Sequence, residues 1–184
     1  PAEVIGSKRM KNLLEKMKEA GCWRVLYGGE SGGQKNLDTL RKGTTLEQIR
    51  KAVSMTSEAG IEAYGTFMFG IPGETFEEGM QTIEFALSLD LDYAVFVNLT
   101  PLPGTEVYRR LMEGEIKPAK FTKNRFNFKN VSFVPAGMTE EQIRYLIQTG
   151  HRRFYLRPGL IWKKIRSIRT PLDLWKYVKG FLLL

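Results

Sequence analysis

The sequence predicts an α/β domain of parallel βα repeats, on three observations. Apolar strand-like runs at residues 23–27, 65–69 and 93–97 alternate with amphipathic helical segments. Each run ends in a Gly- or Pro-rich junction: Tyr27-Gly-Gly-Glu-Ser-Gly32, Gly70-Ile-Pro-Gly-Glu-Thr75 and Thr100-Pro-Leu-Pro-Gly-Thr105. Helix starts are signalled by a Thr followed three residues later by Gln or Glu, at Thr45, Thr75 and Thr139.

Residues 9–20 carry Met10, Leu13, Leu14 and Met17 at helical spacing, and Gly21 suits the left-handed position past a helix end. The first strand-like run follows. The helix opened by Thr45 places Ile49, Ala52, Val53 and Met55 inward and stops at Gly60. After the second run, the helix opened by Thr75 carries Met80, Ile83, Phe85, Ala86 and Leu87. The third run is nearly all apolar, the pattern of a parallel strand buried on both faces. Thr105 opens a helix through Leu111.

The rhythm then breaks. Residues 114–135, with Phe121, Phe126, Phe128 and Phe133, read as an irregular connection. Thr139 opens a helix to about Phe154, interrupted at Arg157-Pro158. Residues 160–168 and 171–184 read as two further helices, the second with Thr170 as cap and Pro171 at its first position. The chain thus divides into βα repeats (1–113), a connection (114–138) and a basic helical extension (139–184). Three parallel strands leave two open edges, whereas a closed α/β barrel needs about eight strands. The repeats therefore read as part of a barrel, or as an open sheet completed by something else. The inward faces of Val25, Phe67, Phe69 and Val95 are expected to lack an opposite layer, which predicts self-association or partly molten behaviour of the isolated chain.

Hydrophobic content of 42% and charged content of 26% fit a soluble globular chain. No run has the length of a membrane span, and the N-terminus has no signal-peptide pattern. A single cysteine, Cys22, excludes a disulfide framework and fits a reducing, cytoplasmic setting; it reads as a small buried hydrophobe. Of the 28 Lys and Arg, nine lie from His151 onward with one acid, Asp173; the preceding stretch holds 19 bases and 19 acids. The excess of +8 therefore belongs to the tail, which argues against nucleic-acid binding by the repeats. In residues 160–184, Ile161, Ile165 and Ile168 form one apolar stripe, and Leu172, Trp175 and Val178 a second, ending in Phe181-Leu-Leu-Leu184. They read as helices packing on the barrel, or as a peripheral membrane contact.

Ligands of parallel α/β sheets bind at the carboxyl ends of the strands, where all three junctions lie. Glycines let a ligand approach the backbone, and helix N-termini offer amides to a negative group. Glu30 suits an amine or ribose hydroxyls, and Arg41 or Lys42 suits a carboxylate. His151 reads as surface or core-edge. No metal-ligand cluster or hydrolytic triad is visible in the sequence.

Residues 21–32, Leu40-Arg-Lys-Gly-Thr-Thr45, residues 65–75 and Thr100-Pro-Leu-Pro-Gly-Thr105 together resemble, in order and spacing, the later part of a radical S-adenosylmethionine (SAM) domain. The Arg152-Arg-Phe-Tyr-Leu-Arg-Pro158 segment resembles the extensions of members that carry a cobalamin-binding domain. The resemblance implies a partial (β/α)6 TIM-like barrel, of which residues 1–113 are the C-terminal half. It implies SAM bound at a [4Fe–4S] cluster held by a CxxxCxxC motif, and cleavage of SAM to a 5′-deoxyadenosyl radical. By this resemblance Glu30 and Ser31 lie near the SAM ribose or amino group, and Arg41 or Lys42 meets its carboxylate. Gly70, Ile71, Pro72 and Gly73 flank the adenine, and Asn98 and Leu99 line the adenine or substrate side.

No CxxxCxxC motif is present. The expectation is a fragment of a radical SAM enzyme, or else a degenerate remnant of one, silent alone; for a fragment the cluster ligands and N-terminal half-barrel lie elsewhere, and the parent acts by methyl transfer or another radical transformation. Its parent would use SAM, a [4Fe–4S] cluster and, in the resembling subgroup, cobalamin, on a small-molecule or lipid-like substrate. The alternatives are a non-catalytic α/β interaction module with a docking tail, and a phosphate-binding barrel half.

Overall fold

The computed structural model describes residues 8–122 and 131–167. The expectations for Phe126, Phe128, Ile168 and the helix at 171–184 fall outside the described residues. In chain order the elements are α1 (Lys8–Glu19), β1 (Arg24–Glu30), α2 (Gln34–Thr39), α3 (Leu46–Glu58), β2 (Glu62–Phe69), α4 (Phe76–Ser88), β3 (Tyr93–Asn98), α5 (Glu106–Met112), β4 (Lys120–Phe121), β5 (Phe133–Val134), α6 (Glu140–Tyr155) and α7 (Pro158–Ser167).

Local chemistry sets the helix boundaries. Thr45, Thr75 and Thr139 each accept a hydrogen bond from the backbone three residues on, and Gln48, Glu78 and Gln142 bond back to the cap. Thr105 caps α5 through the Tyr108 amide. The strands β1, β2 and β3 form one parallel sheet in sequential order. Each begins or ends a few residues beyond its apolar run. β1 takes in Gly28 and Gly29, so part of the expected junction is strand. The six-residue α2 and the β4–β5 pair were not expected; the latter lies inside the segment read as irregular.

One face of the sheet is covered and the other is open. Ala63, Phe67, Phe69, Ala94 and Phe96 are buried under α3, α4 and α6, while Tyr64, Thr66, Met68, Val95 and Val97 are only half-buried. This corrects the expectation that β3 is buried on both faces: among the described residues, no second layer covers the other side. It also corrects the assignment of Phe67 and Phe69 to the uncovered side. They stack on Phe96, at centroid separations of 5.5 and 5.9 Å, within the helix-covered core. Val25 is in register with Ala63 and so shares that face; Val95 does face the open side. Trp23 and Leu26 are 64% and 60% exposed, and Leu13 of α1 is also exposed.

α6 serves two purposes. Gly150 lets it lie against the Phe96 ring, which a β-carbon there would approach to 2.8 Å. One turn on, α6 covers the free edge of β3. His151 Nε2 accepts from the Phe96 amide at 3.4 Å, and the Tyr155 hydroxyl donates to the Ala94 carbonyl at 2.9 Å. The edge of β3 is thereby protected, while among the described residues the outer edge of β1 pairs with no other strand. Arg157, just past α6, donates to the carbonyls of Leu87, Leu89 and Leu91 and stacks on Phe154, closing the C-terminal end of α4. α7 touches the sheet through buried Leu160 and the Lys163–Asp92 ion pair. Among the described residues, no helix is long and apolar enough to cross a membrane.

Candidate functional site

The carboxyl ends of β1, β2 and β3 lie side by side, since Glu30 is in register with Phe67 and Phe69 with Asn98. β1 carries a register shift between Gly28 and Glu30, and Glu30 has a left-handed backbone, φ 58°. The bulge turns the Glu30 side chain back over Gly28. There the carboxylate accepts from Lys42 Nζ at 2.7 Å, with the Glu30 side chain 15% exposed. A β-carbon on Gly28 would fall 2.5 Å from Glu30 Oε1 and 2.7 Å from Lys42 Nζ, so any side chain there would push the pair aside.

Arg41 and Lys42 have different fates. Lys42 is held on Glu30, whereas Arg41 is 78% exposed and reaches across to Glu106 of α5 at 3.7 Å. Ser31 also departs from expectation. It is fully buried, and its hydroxyl meets Thr82 Oγ1 at 3.1 Å and accepts from the Gly33 amide and Asn36 Nδ2. The bulge that lifts Glu30 to the mouth drives its neighbour down against α4, so the Ser31 hydroxyl does not face the mouth.

At the β2 junction, Gly70 and Ile71 donate their amides to one oxygen of Glu74, at 2.6 and 3.1 Å. Ile71 is fully buried, which leaves half-buried Pro72 and exposed Gly73 as the outward residues of the loop. Burial drives the Glu74 carboxyl up to about 7, against the pull of the two amides and of Lys35. Asn98 ends β3 as a tie. Its Nδ2 donates to the Phe69 and Phe133 carbonyls, and its Oδ1 accepts from the Ser132 and Phe133 amides. With every polar atom engaged, Asn98 holds β5 over the strand ends and has no group left for a ligand. Leu99 packs with Leu111 and Phe133 in a small apolar cluster beneath β4 and β5.

The structure therefore brings Glu30, Lys42 and Gly28 together at the mouth, and sets Ser31, Ile71, Asn98 and Leu99 behind it as support. Sequence reasoning missed Asn36, Thr82 and Ser132, whose roles arise only from contacts across 30 or more residues of chain or from a short helix without periodicity. Glu74 stood in a quoted junction, but its reach back to Gly70 had no sequence signal beyond the turn itself. The amides at the starts of α3 and α4 are capped by their own threonines, which weighs against a phosphate-binding half-barrel. Cys22 is partly exposed rather than buried, and its thiol donates to the Arg24 carbonyl at 3.5 Å. Among the described residues, no group of His, Cys, Asp and Glu could hold a metal.

Comparison with known proteins places this geometry. Residues 3–86 match the family model described as the radical SAM superfamily. The chain is 36% identical over 165 residues to an uncharacterized methyltransferase of Pyrococcus horikoshii, covering 86% of this chain and 35% of that protein. It is 28% identical over 157 residues to the anaerobic magnesium-protoporphyrin IX monomethyl ester cyclase of Cereibacter sphaeroides, covering 85% of this chain and 25% of the relative. The chain thus spans about a third or less of the length of these relatives. Coproporphyrinogen III oxidase (HemN) of Escherichia coli, a radical SAM enzyme, shares the fold with a TM-score of 0.56 at 16% identity, over 79% of this chain and 29% of that one. The radical SAM methyltransferase TsrM of Kitasatospora setae, solved with cobalamin and a [4Fe–4S] cluster, does so with a TM-score of 0.53 at 21% identity, over 76% of this chain and 28% of its own. The α/β sheet, its three glycine- and proline-rich junctions and these matches assign the chain to the radical SAM superfamily.

Proposed function

We propose that this chain is the SAM-binding second half of a partial (β/α)6 radical SAM barrel, working in a methyltransferase. The observation that carries the SAM assignment is the Glu30–Lys42 pair over Gly28 at the mouth. SAM presents an α-ammonium and an α-carboxylate on one carbon, and a carboxylate beside an ammonium is the complementary arrangement. Glu30 would receive the ligand's amino group or ribose, and Lys42 its carboxylate. When bound, SAM supplies the methyl group or the adenosyl fragment; the chain's own residues position it.

The residues present do not fit a [4Fe–4S] cluster, because Cys22 is the one cysteine in the sequence and such a cluster needs three thiolates. In this reading the ligands come from the preceding half of the barrel. The free edge of β1, the exposed Trp23 and Leu26 and the protected edge of β3 support adding strands at β1 alone. The methyltransferase relative and the fold shared with TsrM support methyl transfer with cobalamin as a cofactor of the parent. A small or lipid-like substrate is in keeping with the tetrapyrrole named for the cyclase relative.

Calorimetric titration of SAM into the chain tests the assignment. Hydrogen bonds to charged groups are worth about 1.5–3 kcal/mol, so Glu30→Gln and Lys42→Met should each weaken binding roughly tenfold to a hundredfold. Unchanged SAM affinity in folded variants would remove the pair from the site. No SAM binding at all would favour the non-catalytic interaction module.

A peripheral membrane contact through residues 160–184 is a second element of the proposal. Ile161, Trp162 and Ile165 of α7 are exposed, with Lys163, Lys164 and Arg166 on the same helix. Co-sedimentation with anionic liposomes that is unaltered by removing residues 160–184 would eliminate it.

A further inference from the structure

Behind the mouth lies a closed set of polar side chains that the ligand assignment does not use. Ser31, Asn36, Glu74 and Thr82, from β1's junction, α2, β2's junction and α4, are each 1% exposed or less. Glu74 Oε2 accepts from the Gly70 and Ile71 amides. Its Oε1 faces Asn36 Nδ2 at 3.3 Å, and the same nitrogen donates to Ser31 Oγ at 3.2 Å. Ser31 Oγ in turn meets Thr82 Oγ1 and accepts from the Gly33 amide. Asn36 Oδ1, buried among these groups, has no partner.

Donors and acceptors fix the direction of this chain of bonds. Among the described residues the groups hydrogen-bonded to Glu74 are all donors, an arrangement that suits an unprotonated carboxylate; a protonated one brings a hydroxyl that needs an acceptor. A proton on Oε1 would meet the N–H of Asn36 head-on. Turning the Asn36 carboxamide over relieves the clash. Oδ1 then accepts from Oε1–H and from the Ser31 hydroxyl, at the positions Nδ2 leaves. The turn breaks no bond at Oδ1, because none exists, and it keeps both Asn36 contacts while reversing their direction; Thr82, which donates to the Glu78 carbonyl and receives the Ser31 hydrogen, must then turn its own hydroxyl to Ser31. Nδ2 takes the unpartnered place.

We propose that Glu74 and Asn36 are positioning residues that join the β1 and β2 junctions through one buried relay, whose polarity reverses when Glu74 takes up a proton. Glu74 acts through the Gly70 and Ile71 amides, and Asn36 carries its state to Ser31 and Gly33, behind Glu30. That these junctions hold a ligand rests on the SAM reading above; the relay itself does not. The other charged groups facing Glu74 are Lys35 of α2 and Glu78 of α4, which are paired with each other at 2.8 Å. Burial places the carboxyl at about 7, so the reversal falls in an accessible range.

The test is a pH titration of the chain's amide resonances by two-dimensional NMR, from about pH 5 to about pH 9. The Gly70, Ile71 and Gly33 amides and the Asn36 side-chain NH₂ are expected to shift with one common midpoint. In Glu74→Gln the transition should vanish from all of them, and in Glu78→Gln it should persist. Gly33 and Asn36 signals that stay still while Gly70 moves, or a transition that survives Glu74→Gln, would overturn the relay. Should Glu74→Gln fail to fold, the common or divergent midpoints of the wild-type chain still decide. SAM titration at the two pH extremes reads the ligand separately. A relay transition without SAM binding at any pH would withdraw the SAM reading and leave the relay standing.

Discussion

Replacing Glu74 by Gln is expected to stabilise the chain at alkaline pH and to leave it nearly unchanged in mild acid. Burial holds the Glu74 carboxyl at about 7, against an ordinary value of 4.5. A carboxyl raised on folding binds more protons folded than unfolded between those two values. Stability therefore falls as pH rises through that window and stays reduced above it. A gap of about 2.5 pH units corresponds to about 3 kcal/mol at 1.36 kcal/mol per unit. Gln keeps an oxygen for the Gly70 and Ile71 amides, carries no charge to desolvate, and offers an N–H to Asn36 Oδ1 once the Asn36 carboxamide turns over. Urea unfolding should show the variant more stable by about 2–3 kcal/mol at pH ~8, with the two curves converging near pH ~5. A difference that does not change with pH, or a variant weaker than the parent at alkaline pH, would refute the reasoning.

Other substitutions probe other parts of the same frame. Arg157→Ala strips donors from the Leu87, Leu89 and Leu91 carbonyls and should cost about 2–4 kcal/mol in chemical denaturation, with Arg157→Lys recovering less than half, since one ammonium cannot span three carbonyls; full rescue by Lys would show that charge alone matters. Burial pushes His151 below its ordinary value of 6.5, and its Nε2 must stay unprotonated to accept from Phe96, so stability should fall as pH drops below that value. Thermal midpoints in a Glu74→Gln background, free of the opposing slope, should lose this acid limb in His151→Gln; an unchanged limb would clear His151. The open sheet face and the β1 edge predict concentration-dependent association by light scattering, relieved by Leu26→Lys, and a monodisperse wild-type monomer would contradict it. Anaerobic reconstitution with iron and sulfide should give no stoichiometric [4Fe–4S] centre, and an EPR signal of one cluster per chain lost in Cys22→Ala would overturn that expectation.

Much of the frame was legible in the sequence because its signals are local. The three capping boxes are contained within four residues each, and each appears as expected at Thr45, Thr75 and Thr139. The strand runs were found as apolar blocks, but their faces were not. Phe67, Phe69 and Val95 are equally apolar, and nothing within one strand says which side the helices cover. The candidate site divides the same way. Glu30 is singled out by its charge at a strand end, and Arg41 and Lys42 alike as bases shortly after it; the structure pairs Glu30 with Lys42, whereas Ser31 is turned inward by a bulge that no residue pattern announced. Arg41 and Lys42 are chemically alike and adjacent; only their backbone settings separate them, with Arg41 at φ 52° directed to α5 and Lys42 to the mouth.

By itself the sequence determined the parallel βα class, the order of the three main strands and their helices and the starts of the helices with capping boxes, and it marked the junctions as candidate ligand positions. Each of these depends on residues within one turn or one strand of each other. Tertiary structure alone decided which side of the sheet is core and that β3's edge is protected by His151 and Tyr155. It also decided that Asn98 ties β5 to the sheet and that Glu74 organises the β2 junction from below. Apart from Glu74, which reaches back only four residues to Gly70, these outcomes turn on distance between groups far apart in the chain, up to 61 residues for Tyr155 and Ala94. A buried donor or acceptor takes whatever partner the packed chain brings within about 3 Å, because leaving it unpaired costs more than the bond itself returns.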